Sequence, residues 1–184
     1  MNDSTFYSPD TTPPGVQPLM AELYKKLGYI PNLYAGLAAA PAVLKAALEL
    51  STAFSHTSLT QQEQVVVSLA ASVENGCEFC VAAHSFVARH VAKLEDASIA
   101  ALRAGQALHD PKLEALARFT RHVVNQRGWV AGSVLQAFLE AGYSHAQVLE
   151  VILGVALKTL TNYANHILHT PLNPQLSSER WETA

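Results

Sequence analysis

Apolar residues recur at three- and four-residue spacing through most of this chain, and no stretch alternates apolar and polar residues for long between turn signals. Strands need a period of two and helices one of about 3.6, so a chain carrying only the second pattern must bury its apolar faces helix on helix. The sequence therefore predicts an all-α fold.

Glycine and proline divide the pattern into segments. A first helix is expected from about residue 17 to 27, stopping at Gly28 with Pro31 shortly after. Asn32 is placed to cap a short helix over 33–39. Pro41 suits the first turn of the next, which carries Val43, Leu44, Ala47, Leu48 and Leu50. Thr60-Gln61-Gln62-Glu63 has the form of a capping box ahead of a helix over 61–74, and Asn75-Gly76 is a natural left-handed stop. The next helix is expected to begin at or near Cys77 and run to about Val91. Others follow at about 95–104, 111–126 (with Asp110 as cap), 133–141 and 145–169, the last closed by Pro171. With no internal repeat, residues 17–172 read as a single helical domain. Residues 1–16 read as a flexible N-terminal arm and 173–184 as a loosely packed tail containing Trp181.

Of the 184 residues 49% are hydrophobic and only 15% charged, against roughly 25% charged in an average globular chain. That is more apolar surface than one small core readily hides, so a homo-oligomer is expected. The net charge of −3 and the lack of a Lys/Arg cluster argue against nucleic acid or an anionic membrane as partner. The polar start, Met1 to Gly15, lacks the apolar core of a secretory signal. Val148 to Leu160, the most apolar stretch, is interrupted by Glu150 and ends near Lys158, too short and charged to span a bilayer. A cytoplasmic protein is the expectation.

The two cysteines, Cys77 and Cys80, are three residues apart. A disulfide between them would close a trivial loop and add little stability, so their proximity points to chemistry. On a helix, Cys77, Cys80 and His84 share one stripe, and His84 leans back toward Cys80. Orphan N–H groups at the helix start favour a thiolate at Cys77, while His84 offers Cys80 a base or an imidazolium partner. Such a pair can cycle between dithiol and disulfide. With a peroxide, one thiolate breaks the O–O bond and becomes a sulfenic acid, and the other thiol condenses with it. Histidine can shuttle the protons. A structural zinc usually needs four ligands, and no second cysteine pair is present. Val81 stands where a haem-attachment motif needs histidine. No metal or cofactor is called for. Two inert buried cysteines beside a solvated His84 remain the alternative.

The run from Leu59-Thr60 through Glu63, Asn75-Gly76-Cys77, Phe79-Cys80 and His84 resembles the carboxymuconolactone decarboxylase / alkylhydroperoxidase D superfamily. Ile30-Pro31-Asn32-Leu33, Asp110-Pro111-Lys112, Asn162 to His166 and Thr170-Pro171-Leu172 look like its peroxidase-related members. The resemblance implies an all-helical fold assembling as trimers or hexamers of dimers, and thiol peroxidase activity toward hydroperoxides. It implies that Cys80 attacks the peroxide and Cys77 resolves, whereas helix-dipole reasoning alone favours Cys77 as the attacking group. The family's relay glutamate, twelve residues before the first cysteine, is Val65 here. Glu63 lies about 200° around the helix from that position. Glu74 could reach the site across the Asn75-Gly76 turn as a substitute relay. The decarboxylase branch generally lacks the paired cysteines, which ranks that activity low.

Asn162, Asn165, His166 and His169 are spaced along the last helix, where inter-helix hydrogen bonding is the simpler reading. Tyr34, Phe79, Phe86 and Trp129 could line an apolar approach or simply fill the core. Three functions remain: a thiol peroxidase using Cys80, Cys77, His84 and Glu74 with an unknown dithiol reductant; a thiol–disulfide exchange protein or redox sensor; and a helical oligomerisation module with vestigial cysteines.

Overall fold

A computed structural model describes residues 6–8 and 10–183. Nine α-helices run among these residues: α1 (Gln17–Leu27), α2 (Asn32–Leu37), α3 (Pro41–Ser55), α4 (Gln61–Glu74), α5 (Glu78–His90), α6 (Asp96–Arg103), α7 (Pro111–Asn125), α8 (Gly132–Glu140) and α9 (His145–Leu168). Short 3₁₀ turns cover Pro14–Val16 and Pro174–Glu179. The described residues contain no strand, and none of their helices is long and apolar enough to cross a membrane.

The helix starts follow local chemistry. At α4 the Thr60 hydroxyl accepts from the Glu63 N–H at 3.2 Å, and the Glu63 carboxylate takes the Thr60 N–H at 2.7 Å. Ser144 and Gln147 repeat this reciprocal arrangement at α9. Asp110 accepts from the N–H groups of Lys112 and Leu113 ahead of α7.

α4 is the central element, buried on most sides and packed against α5, α7 and α9. Two apolar clusters flank it. The larger joins α4 to α9 and includes Val66, Leu69, Ile99, Leu116 and a stack of Phe119, Phe138 and Tyr143, with successive ring centroids 4.4 Å apart. The smaller gathers α1, α2 and α3 around Met20, Leu33 and Leu44, and it includes Cys77, Phe79 and Cys80. Cys77 and Cys80 thus belong to the smaller cluster, and Val81, next along α5, to the larger.

α9 crosses α3 and α4 closely at Gly154. A Cβ there would lie 2.7 Å from the Phe54 ring and 2.8 Å from Val67 Cγ1, so only glycine admits this approach. Lys158 follows one turn later.

Both chain ends pack more firmly than expected. Val16 and Thr12 are buried, Phe6 and Tyr7 lie against the smaller cluster, and the Tyr7 N–H donates to Ala35 O at 3.2 Å. The arm therefore contributes to the core up to residue 16, while residues 1–5 and 9 lie outside the described residues. Leu176 is buried in the smaller cluster. Glu179 accepts from Arg89 at 2.8 Å, Arg103 donates to the Glu179 and Arg180 carbonyls, and Trp181 Nε1 donates to Arg103 O at 3.0 Å. This network anchors the tail, whose apolar side chains alone gave little sign of attachment. Asn32 opens α2 rather than capping it; its N–H donates to Asn173 Oδ1 at 2.8 Å.

Candidate active site

The turn from α4 into α5 sets the cysteines in place. Gly76, at φ +65°, donates its N–H to Val73 O, and Cys77 donates to Ser72 O at 2.9 Å. These are the paired bonds of a Schellman motif, which needs a left-handed residue where Gly76 stands. Cys77 consequently occupies the N-cap position of α5, and Cys80 sits at its third residue, inside the first turn. The exposed N–H groups and the helix dipole therefore favour negative charge at Cys80 as well as Cys77.

Both thiols are buried, at 1% and 2% exposure. Asn165, reaching in from α9, donates from Nδ2 to Cys80 Sγ at 3.2 Å and lies 3.7 Å from Cys77 Sγ. Asn162 ties the same turn down: its Oδ1 accepts from Asn75 Nδ2 at 2.9 Å, and its Nδ2 donates to Ser72 Oγ at 3.4 Å. Inter-helix bonding describes Asn162 well. Asn165 is more than that, since it binds sulfur.

The pair is polarised. A hydrogen bond from Cys77, then the Lys158 charge and the amides of Asn162 and Asn165, outweigh burial and lower the Cys80 pKa to about 6. Cys77 is the donor in that bond, and donation together with burial pushes its own pKa up. These surroundings favour the thiolate at Cys80 over Cys77.

Lys158 received no role from the sequence, yet it is buried in the site, with Nζ 2.6 Å from His84 Nε2. Burial and this cation hold the His84 pKa well below the ordinary imidazole value. A neutral His84 accepts from the lysine ammonium. Of the two forms expected of His84 beside Cys80, base or imidazolium, its surroundings favour the neutral base, and the positive charge acting on Cys80 comes from Lys158.

Glu74 is not brought to the thiols. Its carboxylate turns toward α7, accepting from Asn125 Nδ2 at 2.7 Å and lying 3.8 Å from Arg121 Nε. The Asn75-Gly76 turn carries the chain away from it, so the substitute-relay expectation is withdrawn. Val65 lies in the larger core, and Glu63 is occupied at the α4 cap and by Lys112 at 3.1 Å. The charged group of this site is a cation from α9, where a carboxylate from α4 was expected.

Cys80, His84 and Lys158 border a mostly apolar cavity of about 570 Å³, walled by residues that include Tyr34, Phe79, Phe86 and Leu176. Three of the aromatic residues considered as an approach are thus on its wall. Trp129 is not; it is 87% exposed in the turn before α8. Cys77 opens instead on a polar depression of about 320 Å³ beside His166 and His169. Among the described residues, no three His, Cys, Asp or Glu side chains are grouped to hold a metal ion.

The family model for the carboxymuconolactone decarboxylase family matches residues 38–122, which include both cysteines and His84. That match spans a little under half of the chain, and over it the sequence is similar to the carboxymuconolactone decarboxylase family. The fold of the chain matches solved structures along nearly its whole length. An uncharacterized peroxidase-related protein with an alkylhydroperoxidase AhpD core, from Ralstonia eutropha JMP134, superposes with a TM-score of 0.83 at 21% identity, covering 96% of each chain. The debrominase Bmp8, in complex with 2,3,4-tribromopyrrole, gives 0.82 at 14% identity, covering 97% of this chain and 96% of that one. A peroxidase-related protein from Silicibacter sp. TM1040 gives 0.78 at 15%, covering 95% and 94%. At these identities the likeness is one of fold. No curated protein matches the sequence.

Proposed function

We propose that this protein is a thiol peroxidase that reduces organic hydroperoxides, with Cys80 as the attacking thiolate and Cys77 as the resolving thiol. The observation that carries the reading is the position of Cys80 Sγ. It receives hydrogen bonds from Cys77 and Asn165, feels the Lys158 charge, and borders an apolar cavity large enough for an organic substrate.

In this reading the Cys80 thiolate attacks the terminal peroxide oxygen. The O–O bond breaks, Cys80 becomes a sulfenic acid, and the departing alkoxide takes a proton from the Lys158–His84 pair. The Cys77 thiol, already directed at Cys80, then displaces water from the sulfenic acid and forms the disulfide. An external dithiol restores both thiols and is itself oxidised to a disulfide. A reducing compartment suits this cycle, and we place the protein in the cytoplasm as a homo-oligomer.

The test is single-turnover consumption of cumene hydroperoxide by the reduced protein. One equivalent should be consumed with loss of two thiols, and Cys80→Ser should remove the reaction. If the wild type consumes none while its thiol pair exchanges readily with dithiols, the exchange or redox-sensor reading replaces this one.

Bmp8's bound tribromopyrrole favours a second reading in which the cavity admits a halogenated aromatic. The Cys80 thiolate would take the halogen, the ring carbon would take a proton, and Cys77 would then displace halide as the disulfide forms. Halide release from a bromopyrrole, with no turnover of cumene hydroperoxide, would establish it over the peroxidase.

A further inference from the structure

The two sulfurs, although adjacent, open on different spaces. Cys80 borders the apolar 570 Å³ cavity, and Cys77 borders the polar 320 Å³ depression between the start of α5 and the end of α9. Phe79 lies in the wall of both and is itself buried. The depression has about the volume of ten waters, which suits a small molecule.

Its wall is unfinished in a particular way. Asn165 is 5% exposed and spends its amide nitrogen on the sulfurs, yet among the described residues its Oδ1 has no hydrogen-bond partner. Thr170 Oγ1, on the same wall, is also buried without one. Buried polar atoms are nearly always paired in folded proteins. Two orphans on residues that line one depression, beside a sulfur, mark a place where a ligand bearing hydrogen-bond donors would complete the bonding after a small shift of either side chain. His166 and Glu78 stand exposed at the rim.

We propose that the oxidised pair is reduced through this depression, by a small polar dithiol attacking Cys77, while the electrophile reaches Cys80 through the apolar cavity. The inference rests on the dithiol–disulfide cycle of the proposed function. One thiolate of the reductant attacks Cys77 Sγ, the Cys77–Cys80 bond breaks, and its electron pair leaves on Cys80. The second thiol of the reductant, as its thiolate, then attacks the reductant's own sulfur in the mixed disulfide. Cys77 departs and takes a proton, and the reductant leaves as a cyclic disulfide. This direction is chemically favoured, because thiol exchange runs faster when the better-stabilised thiolate leaves. Cys80 has the Asn165 amide and the Lys158 charge to receive that negative charge. Substrate and reductant would then not compete for one opening, and bound organic substrate would not block reduction.

The experiment starts from protein oxidised with diamide, so that no peroxide enters it. The disulfide is treated briefly with 2-mercaptoethanol, quenched with iodoacetamide, and the peptide carrying both cysteines is sequenced by tandem mass spectrometry. The mercaptoethanol adduct should fall on Cys77 and the carbamidomethyl group on Cys80. Adducts on Cys80, or shared equally, overturn the proposal. His166→Trp should slow reduction of the disulfide by dithiothreitol about tenfold, equivalent to about 1.4 kcal/mol of barrier. Glu78→Trp at the opposite rim repeats the test if the first variant does not fold. Unchanged rates in a folded rim variant rule out the depression as the entrance. Failure of diamide to form a Cys77–Cys80 disulfide would end both this inference and the peroxidase reading. Adducts on Cys77 without any hydroperoxide consumption would remove only the latter.

Discussion

Lys158 Nζ, supplied by α9, lies 2.6 Å from His84 Nε2 on α5, and burial together with this lysine holds the His84 pKa well below the ordinary imidazole value. A buried lysine without a counter-charge is costly. Here the Lys158 charge favours the thiolate form of Cys80. Replacing Lys158 by Met fills similar volume without charge. Cys80 should then need a higher pH to ionise. At a fixed pH below its pKa, a rise of about one in that pKa leaves roughly a tenth of the thiolate. Thiolate absorbance at 240 nm against pH measures this directly. An unchanged titration would show that Lys158 does not support the thiolate.

The same groups set a pH dependence of stability. Cys80 ionises at about 6 when folded, against an ordinary 9.0, so the unfolded chain holds the extra proton between those values. Stability from Cys80 is therefore full above 9.0 and is lost as pH falls toward 6. His84, depressed below 6.5, adds a loss in the same direction below that value. Cys77 is raised and acts oppositely, removing stability as pH climbs past 9.0. Denaturant midpoints of the reduced protein should thus rise from acid toward pH 9 and fall beyond it. Cys80→Ala should flatten the rise between 6 and 9. A midpoint that peaks near pH 6 contradicts the assignment.

Glu74 gives a contrasting expectation. Because its carboxylate is engaged by Asn125 and Arg121 on α7, Glu74→Gln should leave the alkylation rate of Cys80 unchanged across pH. Its effect should be a loss of stability of about 1 kcal/mol, the usual worth of such a contact. A pH profile displaced by this substitution would return Glu74 to the site.

The difference between Glu74 and Lys158 marks what the sequence made legible. The helix order, the Thr60 and Asp110 caps, and the Gly76 turn all rest on interactions between near neighbours, and those are written locally. The convergence of Cys77, Cys80 and His84 near the start of one helix was readable for the same reason. Lys158 and Asn165 come from a helix more than 70 residues away, and their role depends on how α9 is turned. Ordinary amphipathic logic turns polar faces outward. α9 does the reverse: Lys158, Thr161, Asn162 and Asn165 are buried, while Leu149, Ile152, Tyr163 and Ile167 are exposed. The polar stripe was present in the sequence, but only the packed structure says which way it points.

Gly154 allows that packing. An added methyl group at 2.7 Å from Phe54 and 2.8 Å from Val67 must displace one of them. Gly154→Ala should cost about 1–3 kcal/mol through overpacking. Because Lys158 lies one turn further along α9, the same variant should also raise the pH at which Cys80 ionises. Measuring stability and the thiolate titration on one preparation separates the two effects. Loss of stability with an unmoved titration would mean that α9 tilts without carrying Lys158 away.

The outward face of α9 leads to an expectation about assembly. Leu149 is 67% exposed, Ile152 45%, Tyr163 53% and Ile167 76%, and all four fall within about 60° of helix surface at roughly 100° per residue. Scattered apolar residues on a surface need no explanation, but an aligned stripe running the length of a helix does. A second copy of α9 presents the same stripe, so a two-fold pairing would bury it against itself. Light scattering behind size exclusion should find the wild type as an oligomer. Leu149→Glu combined with Ile167→Glu should reduce the assembly order, because charge would be buried on both sides of the contact. The thiolate titration should be unaffected, since Lys158 lies on the opposite face of α9. A wild type that remains monomeric at micromolar concentration would leave the stripe without a second copy to cover it.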